Sequence, residues 1–211
     1  MGKLISTSLM RHLAFKSVAI SLLLLTALHI LRPDIHTASS MVSEYAIGKF
    51  GWIQTLVFFL FAVSAGAVLI AIRSEVETLW GKIGLFFLVL AAGGFFLGGI
   101  FNVEHPLHQF VFFVGAPGMA IAAALISLNI ARTPAWVQIR RLVIGVGQLP
   151  WISFILNMSM FFLAFSPSGE LNPRIPVGWG NRLFWLSSGL WLMVMAWHSA
   201  KVNLQKSSKN P

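Results

Sequence analysis

The chain has 211 residues, of which 57% are hydrophobic and 10% charged, with a formal net charge of +9 and no cysteine. A soluble domain carries roughly a quarter charged residues, so this composition excludes an ordinary water-soluble fold and places the chain in lipid. Lack of cysteine removes disulfides, thiolate metal sites, iron–sulfur clusters and cysteine nucleophiles from consideration together.

Within the first apolar segment, 13–31, the stretch 17–31 after Arg11 and Lys16 has the outline of a secretion signal. The best cleavage point, after Ala38, would put His36 where a small residue is required, so the segment reads as a retained anchor helix. Five further apolar segments follow at 52–72, 83–103, 107–130, 142–165 and 183–200. Each is near the roughly 20 residues that cross about 30 Å of hydrocarbon. The expected fold is therefore all-α: one membrane domain, a bundle of six transmembrane helices, ending in a polar, mobile tail at 201–211.

Several local features bear on that bundle. The longest connection, 32–51, is expected to carry a short helix at 38–47, lying at the membrane interface with Ser39 or Ser40 as its N-cap. The Gly94-Phe-Phe-Leu-Gly98 pattern predicts a close helix crossing within the monomer. Pro117 and Pro150 should kink their helices, leaving carbonyls for Gln148, Ser153 and Asn157 to satisfy. Trp52, Trp80, Trp136, Trp151, Trp179, Trp185 and Trp197 fall near segment ends and read as interfacial anchors.

Orientation follows from the basic residues. On the side of the N-terminus fall Lys3, Arg11, Lys16, Arg73, Lys82, Arg132, Arg140, Arg141, Lys201, Lys206 and Lys209, which is eleven; Arg32, Lys49, Arg174 and Arg182 make four on the other. Basic residues in short loops stay in the cytoplasm, so both termini are expected inside, in a multi-pass protein of the cell membrane. Because the basic residues sit at the ends of apolar segments, the expected partners are membrane lipids with anionic headgroups and not nucleic acid. Asp34, Glu44, Glu104 and Glu170 fall on the outer side, with Glu75 and Glu77 inside. No ionisable residue lies near the middle of a segment, which argues against proton-coupled transporters, pumps and voltage sensors.

Three polar stretches share the outer side: Arg32-Pro-Asp34-Ile-His36, Ser43-Glu44-Tyr45, and Asn102-Val-Glu104-His105-Pro-Leu-His108. Their order is telling. A first helix ending in Arg-Pro-Asp, then Ser43-Glu-Tyr-Ala-Ile-Gly-Lys-Phe-Gly-Trp52 leading into the second, resembles the prokaryotic membrane family called domain of unknown function 998. Gly99-Ile-Phe-Asn-Val-Glu104 is similar to that family's Gly-x-Phe-Pro-x-Asp, with His following at the start of the fourth helix. The resemblance spans residues 19–201 and implies a six-helix membrane architecture without implying a particular activity. Asn102 stands where the family has Pro, Glu104 where it has Asp, and Phe112 where a second His is expected, so a metal centre of the family would lack one ligand here.

From the residues alone, Glu104 and His108 are spaced to share a helix face with His105. Two readings stay open. In the first, the acids and His tie loops together in a protein without catalysis: Glu104 and Pro106 suit the start of the fourth helix, and Arg32 pairs with Glu44, or Arg182 with Asp34. In the second, Asp34, His105 and His108 bind Zn²⁺, Glu44 or Glu104 is the general base and Ser43 orients the substrate, giving a metal-dependent hydrolase or acyl-transfer enzyme acting on outer-leaflet lipids. Transport and haem ligation rank below both, because the His lie too near the water for matched axial ligands.

Overall fold

The computed structural model describes residues 2–164, 172 and 174–208, with side chains for 8–164, 172 and 174–199. Six α-helices follow in chain order: α1 (Gly2–Leu31), α2 (Gly51–Ile72), α3 (Leu79–Ile100), α4 (His108–Ile130), α5 (Arg140–Ala164) and α6 (Val177–Ser208). Short 3₁₀ turns occupy Val42–Ala46, Arg73–Glu75 and Val137–Ile139, and there is no strand among the described residues. The helices outrun the apolar segments at several ends, because backbone hydrogen bonding does not stop where hydropathy does. α3 starts at Leu79, where Thr78 Oγ1 accepts from Gly81 N at 3.2 Å. α6 starts at Val177 and continues to Ser208, through most of the stretch expected as a tail. Glu170 and the last three residues of that tail lie outside the described residues.

Among the described residues five helices are long and apolar enough to cross a membrane: Ser8–Leu31, Gly51–Glu75, Leu79–Ile100, His108–Ile130 and Val137–Ala164. α6 falls short by composition because Asn181, Arg182, His198 and several Trp and Ser dilute its aliphatic run. It is instead an inward helix. Each helix packs on the next, α6 closes the ring on α1, and α6 also touches α2 and α4. Trp191, Leu192, Met195 and Ala196 of α6 are buried.

The seams rest on small residues. A Cβ on Gly94 would stand 2.4 Å from Gly115 Cα, so α3 and α4 cross backbone to backbone, within the chain as the Gly-xxx-Gly spacing predicted; Gly98 lies against the Phe58 ring of α2. Hydroxyls tie helices across lipid-excluded seams: Ser21 donates to Val57 O and Ser64 to Ala14 O, both at 2.9 Å, and Trp191 Nε1 donates to Ser127 Oγ at 2.8 Å.

Two expectations need correction. Trp136 and Trp185 are buried against protein and do not anchor in lipid: Phe61, Phe95 and Phe58 surround the Trp185 indole, with ring centroids 4.7 to 5.4 Å away. Aromatic faces and edges pack well together in a dry seam, which outweighs the pull of one indole N–H toward the headgroups. Around Pro150, Ser153 Oγ lies 2.7 Å from Leu149 O and 2.7 Å from Ser187 Oγ of α6. It thus serves Leu149 and not Val146, the carbonyl whose partner the proline removes. Gln148 Nε2 and both amide atoms of Asn157 find no partner among the described residues.

The face where the chain ends lie is closed by a buried knot. Trp136 Nε1 donates to Glu75 Oε2, while His198 Nε2 donates to Ala135 O at 3.0 Å and its ring lies 4.5 Å from that of Trp136. Arg11 of α1 is buried at the same end. This joins α1, both connections on that face and α6.

Candidate functional site

At the opposite face, hereafter the far face, α1 stops at Leu31 because Pro33 cannot continue it. Arg32 then forks onto Asp34, with Nε at 3.0 and 3.1 Å and Nη2 at 2.7 Å, and its Nη1 donates to Ile47 O. The hydrogen bond from Arg32 holds the Asp34 carboxyl below the usual carboxylate range and raises the guanidinium in turn. Asp34 is well exposed, so the pair orients the loop more than it stabilises the fold. Gly48 and Phe50 both take positive φ, 79° and 75°, to turn the chain into α2.

Between these turns the connection is sunk into the helix ends. The expected interfacial helix at 38–47 is a 3₁₀ turn over Val42–Ala46, and Val42 and Tyr45 are fully buried. Its cap is neither Ser39 nor Ser40. Met41 N donates to Glu44 Oε1 at 2.6 Å, the acid reaching back over the first turn and making a serine cap unnecessary.

What holds this plug is the start of α6. Gly178 N donates to Ala38 O at 2.8 Å, and a Cβ there would meet Thr37 O at 2.3 Å, so only glycine allows the approach. Asn181 Oδ1 accepts from Val42 N at 2.9 Å. Arg182, 8% exposed, donates from Nε to His29 Nε2 at 2.7 Å, from Nη1 to Ser40 O at 2.7 Å and Gly178 O at 3.0 Å, and from Nη2 to Tyr45 Oη at 3.1 Å. His29 Nδ1 donates to Leu25 O at 2.7 Å, which leaves Nε2 as the acceptor Arg182 needs. Neither expected pairing forms: Asp34 takes Arg32 instead of Arg182, and Glu44 is occupied by Met41 N. The two-residue spacing lets Arg32 reach Asp34 without crossing the bundle. Neutral groups surround Arg182 instead.

The third polar stretch is organised locally as well. Asn102 Oδ1 accepts from Glu104 N and His105 Nδ1 from Leu107 N, both at 3.2 Å, and the His105 ring stacks on Phe101 at 4.5 Å. Glu104 and His105 are exposed, whereas His108 is buried and its Nδ1 donates to Phe101 O at 2.7 Å. Asp34, Glu44, Glu104, His105 and His108 therefore do not assemble: among the described residues no three His, Asp or Glu stand where they could hold a metal ion. The spacing of 104, 105 and 108 predicted one helix face, but α4 begins only at His108. Glu104 and His105 sit on the turn before it.

Only Ser43 and His108 of the expected site residues meet at one feature, a cavity of about 240 Å³ enclosed by α2, α3, α4, α5 and α6 beneath the plug. Gly94, Gly98, Gly115 and Ala116 line it together with the rings of Phe58, Phe95, Phe184 and Trp185. Buried Phe95 and Ala116 lie deep in it, and exposed Gln109 and half-exposed Phe113 stand at its edge on α4. No charged side chain lines it; its polar groups are Ser43, His108, Gln109 and Asn181. Sequence reasoning missed Asn181 and the full role of Arg182. The signal was present as two polar residues opening an otherwise apolar segment.

An all-helical ring of this length and apolarity, among the described residues, is that of a polytopic helical membrane protein. The family model described as protein of unknown function (DUF998) matches residues 17–198, and the chain belongs to that family. No curated protein and no solved structure matches the chain.

Proposed function

We propose that the protein is a non-catalytic, lipid-binding component of the prokaryotic inner membrane, with both termini in the cytoplasm, and that it holds a lipid chain in the cavity under the far-face plug. The observation that carries this reading is the lining: aromatic and small side chains throughout, no charge, and polar groups of which Ser43 and Asn181 belong to the plug and its anchor. At about 240 Å³ the space is near the lower edge of small-molecule sites, roughly 300–1,000 Å³, and suits part of an acyl chain more than a bulky polar substrate. Bilayer lipid would enter at the exposed edge that Gln109 and Phe113 form on α4. Hydrolysis through Ser43, Glu44 and Glu104, with zinc on Asp34, His105 and His108, is not favoured, since Asp34 and Glu44 are already committed to Arg32 and Met41.

Native mass spectrometry of the protein extracted with its membrane tests this. The wild-type chain is expected to carry one lipid adduct, and Ala116→Phe, which fills the cavity, to lose it while keeping its thermal midpoint. Equal adducts on both proteins would sink the proposal. Exposed Arg73, Arg132, Arg140 and Arg141 on the opposite face fit anionic cytoplasmic headgroups and support the orientation. Because the chain has no cysteine, a single Glu104→Cys variant should react with a membrane-impermeant maleimide on intact cells, and Arg140→Cys only after lysis. The reverse pattern would overturn the orientation.

A further inference from the structure

We infer that the lipid in this cavity carries an uncharged, hydrogen-bonding head group, as a monoacylglycerol does, and that Ser43, His108 and Asn181 read it. The inference rests on the proposal that the cavity holds a lipid, and it names the class.

Three polar side chains reach the cavity with capacity to spare. Asn181 is 4% exposed and its Oδ1 is occupied by Val42 N, which assigns Nδ2 as the remaining group, a donor with no partner among the described residues. His108 donates through Nδ1 to Phe101 O, which leaves Nε2 as its remaining ring nitrogen, an acceptor in the neutral imidazole. Ser43, next to the Val42 that Asn181 holds, makes no hydrogen bond among the described residues and can both donate and accept. Donor, acceptor and hydroxyl together match a vicinal diol or an ester with a free hydroxyl.

Charge selects in the same direction. The nearby cation, Arg182, turns away from the cavity and directs its hydrogen bonds to His29, Ser40, Gly178 and Tyr45. A phosphate entering the cavity would lose water and find no counter-charge, because no Lys or Arg lines it. A neutral head group forfeits much less. It recovers its hydrogen bonds from the three side chains that line the cavity.

The test uses the full chain in phosphatidylcholine nanodiscs, with quenching of Trp185, which lines the cavity, by lipids carrying a dibrominated acyl chain. Trp185→Phe supplies the background from the other indoles. The monoacylglycerol is expected to saturate the Trp185 signal at about tenfold lower mole fraction than the lysophosphatidylglycerol of the same chain. Ser43→Ala and Asn181→Ser, the latter removing the amide donor while keeping an oxygen near Val42 N and adding no charge, should reduce that preference to about threefold or less. Equal or tighter binding of the lysophosphatidylglycerol would overturn the head-group assignment and leave chain occupancy standing. A preference unchanged in both variants would remove these side chains as its source. Absence of saturable, Trp185-dependent quenching by either lipid would overturn both the inference and the proposal beneath it.

Discussion

Arg182→Leu is expected to lower stability by about 3–4 kcal/mol, read as the unfolding midpoint in mixed micelles on titration with sodium dodecyl sulfate. The guanidinium serves four acceptors on three parts of the chain: His29 on α1, Ser40 and Tyr45 in the plug, and Gly178 on α6. Leucine fills the volume but leaves those acceptors without a donor in a place where little water can replace it. The Tyr45 hydroxyl is fully buried and His29 half-buried, so the hydroxyl at least has no water to turn to. Arg182→Lys should recover part of the loss, to about 2 kcal/mol, because one ammonium cannot span groups that the planar fork reaches together. Protease cutting within 37–46 should accelerate in step. A leucine variant within about 0.5 kcal/mol of wild type would show that the plug is held by apolar burial alone.

Gly94→Leu should be at least as damaging, at about 3 kcal/mol or more, with loss of the monodisperse peak in detergent. Its Cβ alone would lie 2.4 Å from Gly115 Cα, and backbone cannot move aside as a side chain can. The neighbouring Gly93 meets nothing within 4 Å, so Gly93→Ala isolates the backbone term. That substitution should be neutral or stabilising by up to about 1 kcal/mol, since alanine favours the helix. Equal thermal shifts for the two variants would contradict a close α3–α4 crossing.

The contrast between these neighbours marks how far the chain could be read without coordinates. The Gly-xxx-Gly spacing predicted a tight crossing, and one forms within the monomer. Nothing in the pattern said that the partner would be Gly115, because contact across helices depends on their rotation, which hydropathy averages out. The Trp residues make the same point. An indole near a segment end suits the interface equally well at Trp80, which is exposed, and at Trp185, which is ringed by phenylalanines.

The candidate site was legible only in part. Ser43 and His108 were picked out for chemistry, and the cavity they share is the site now proposed. Asp34, Glu44, Glu104 and His105 drew attention as a cluster because they fall on one side of the bundle, yet the side chains of Asp34, Glu44 and His105 settle into contacts a few residues away and Glu104 is exposed on the turn before α4. Local partners win because closing a two- or three-residue turn orders far less chain than gathering four loops about one point.

By itself the sequence determined the class: the apolar content, the six segments and the family motifs leave a helical membrane bundle, since only regular, internally bonded backbone survives in hydrocarbon. Which polar residues meet was decided by the tertiary structure alone. Arg182 and Tyr45 are 137 residues apart and Val42 and Asn181 are 139 apart. Such pairings follow from α6 closing the ring on α1 and drawing the first connection down over the cavity, a consequence of how six faces fit together that no single segment encodes.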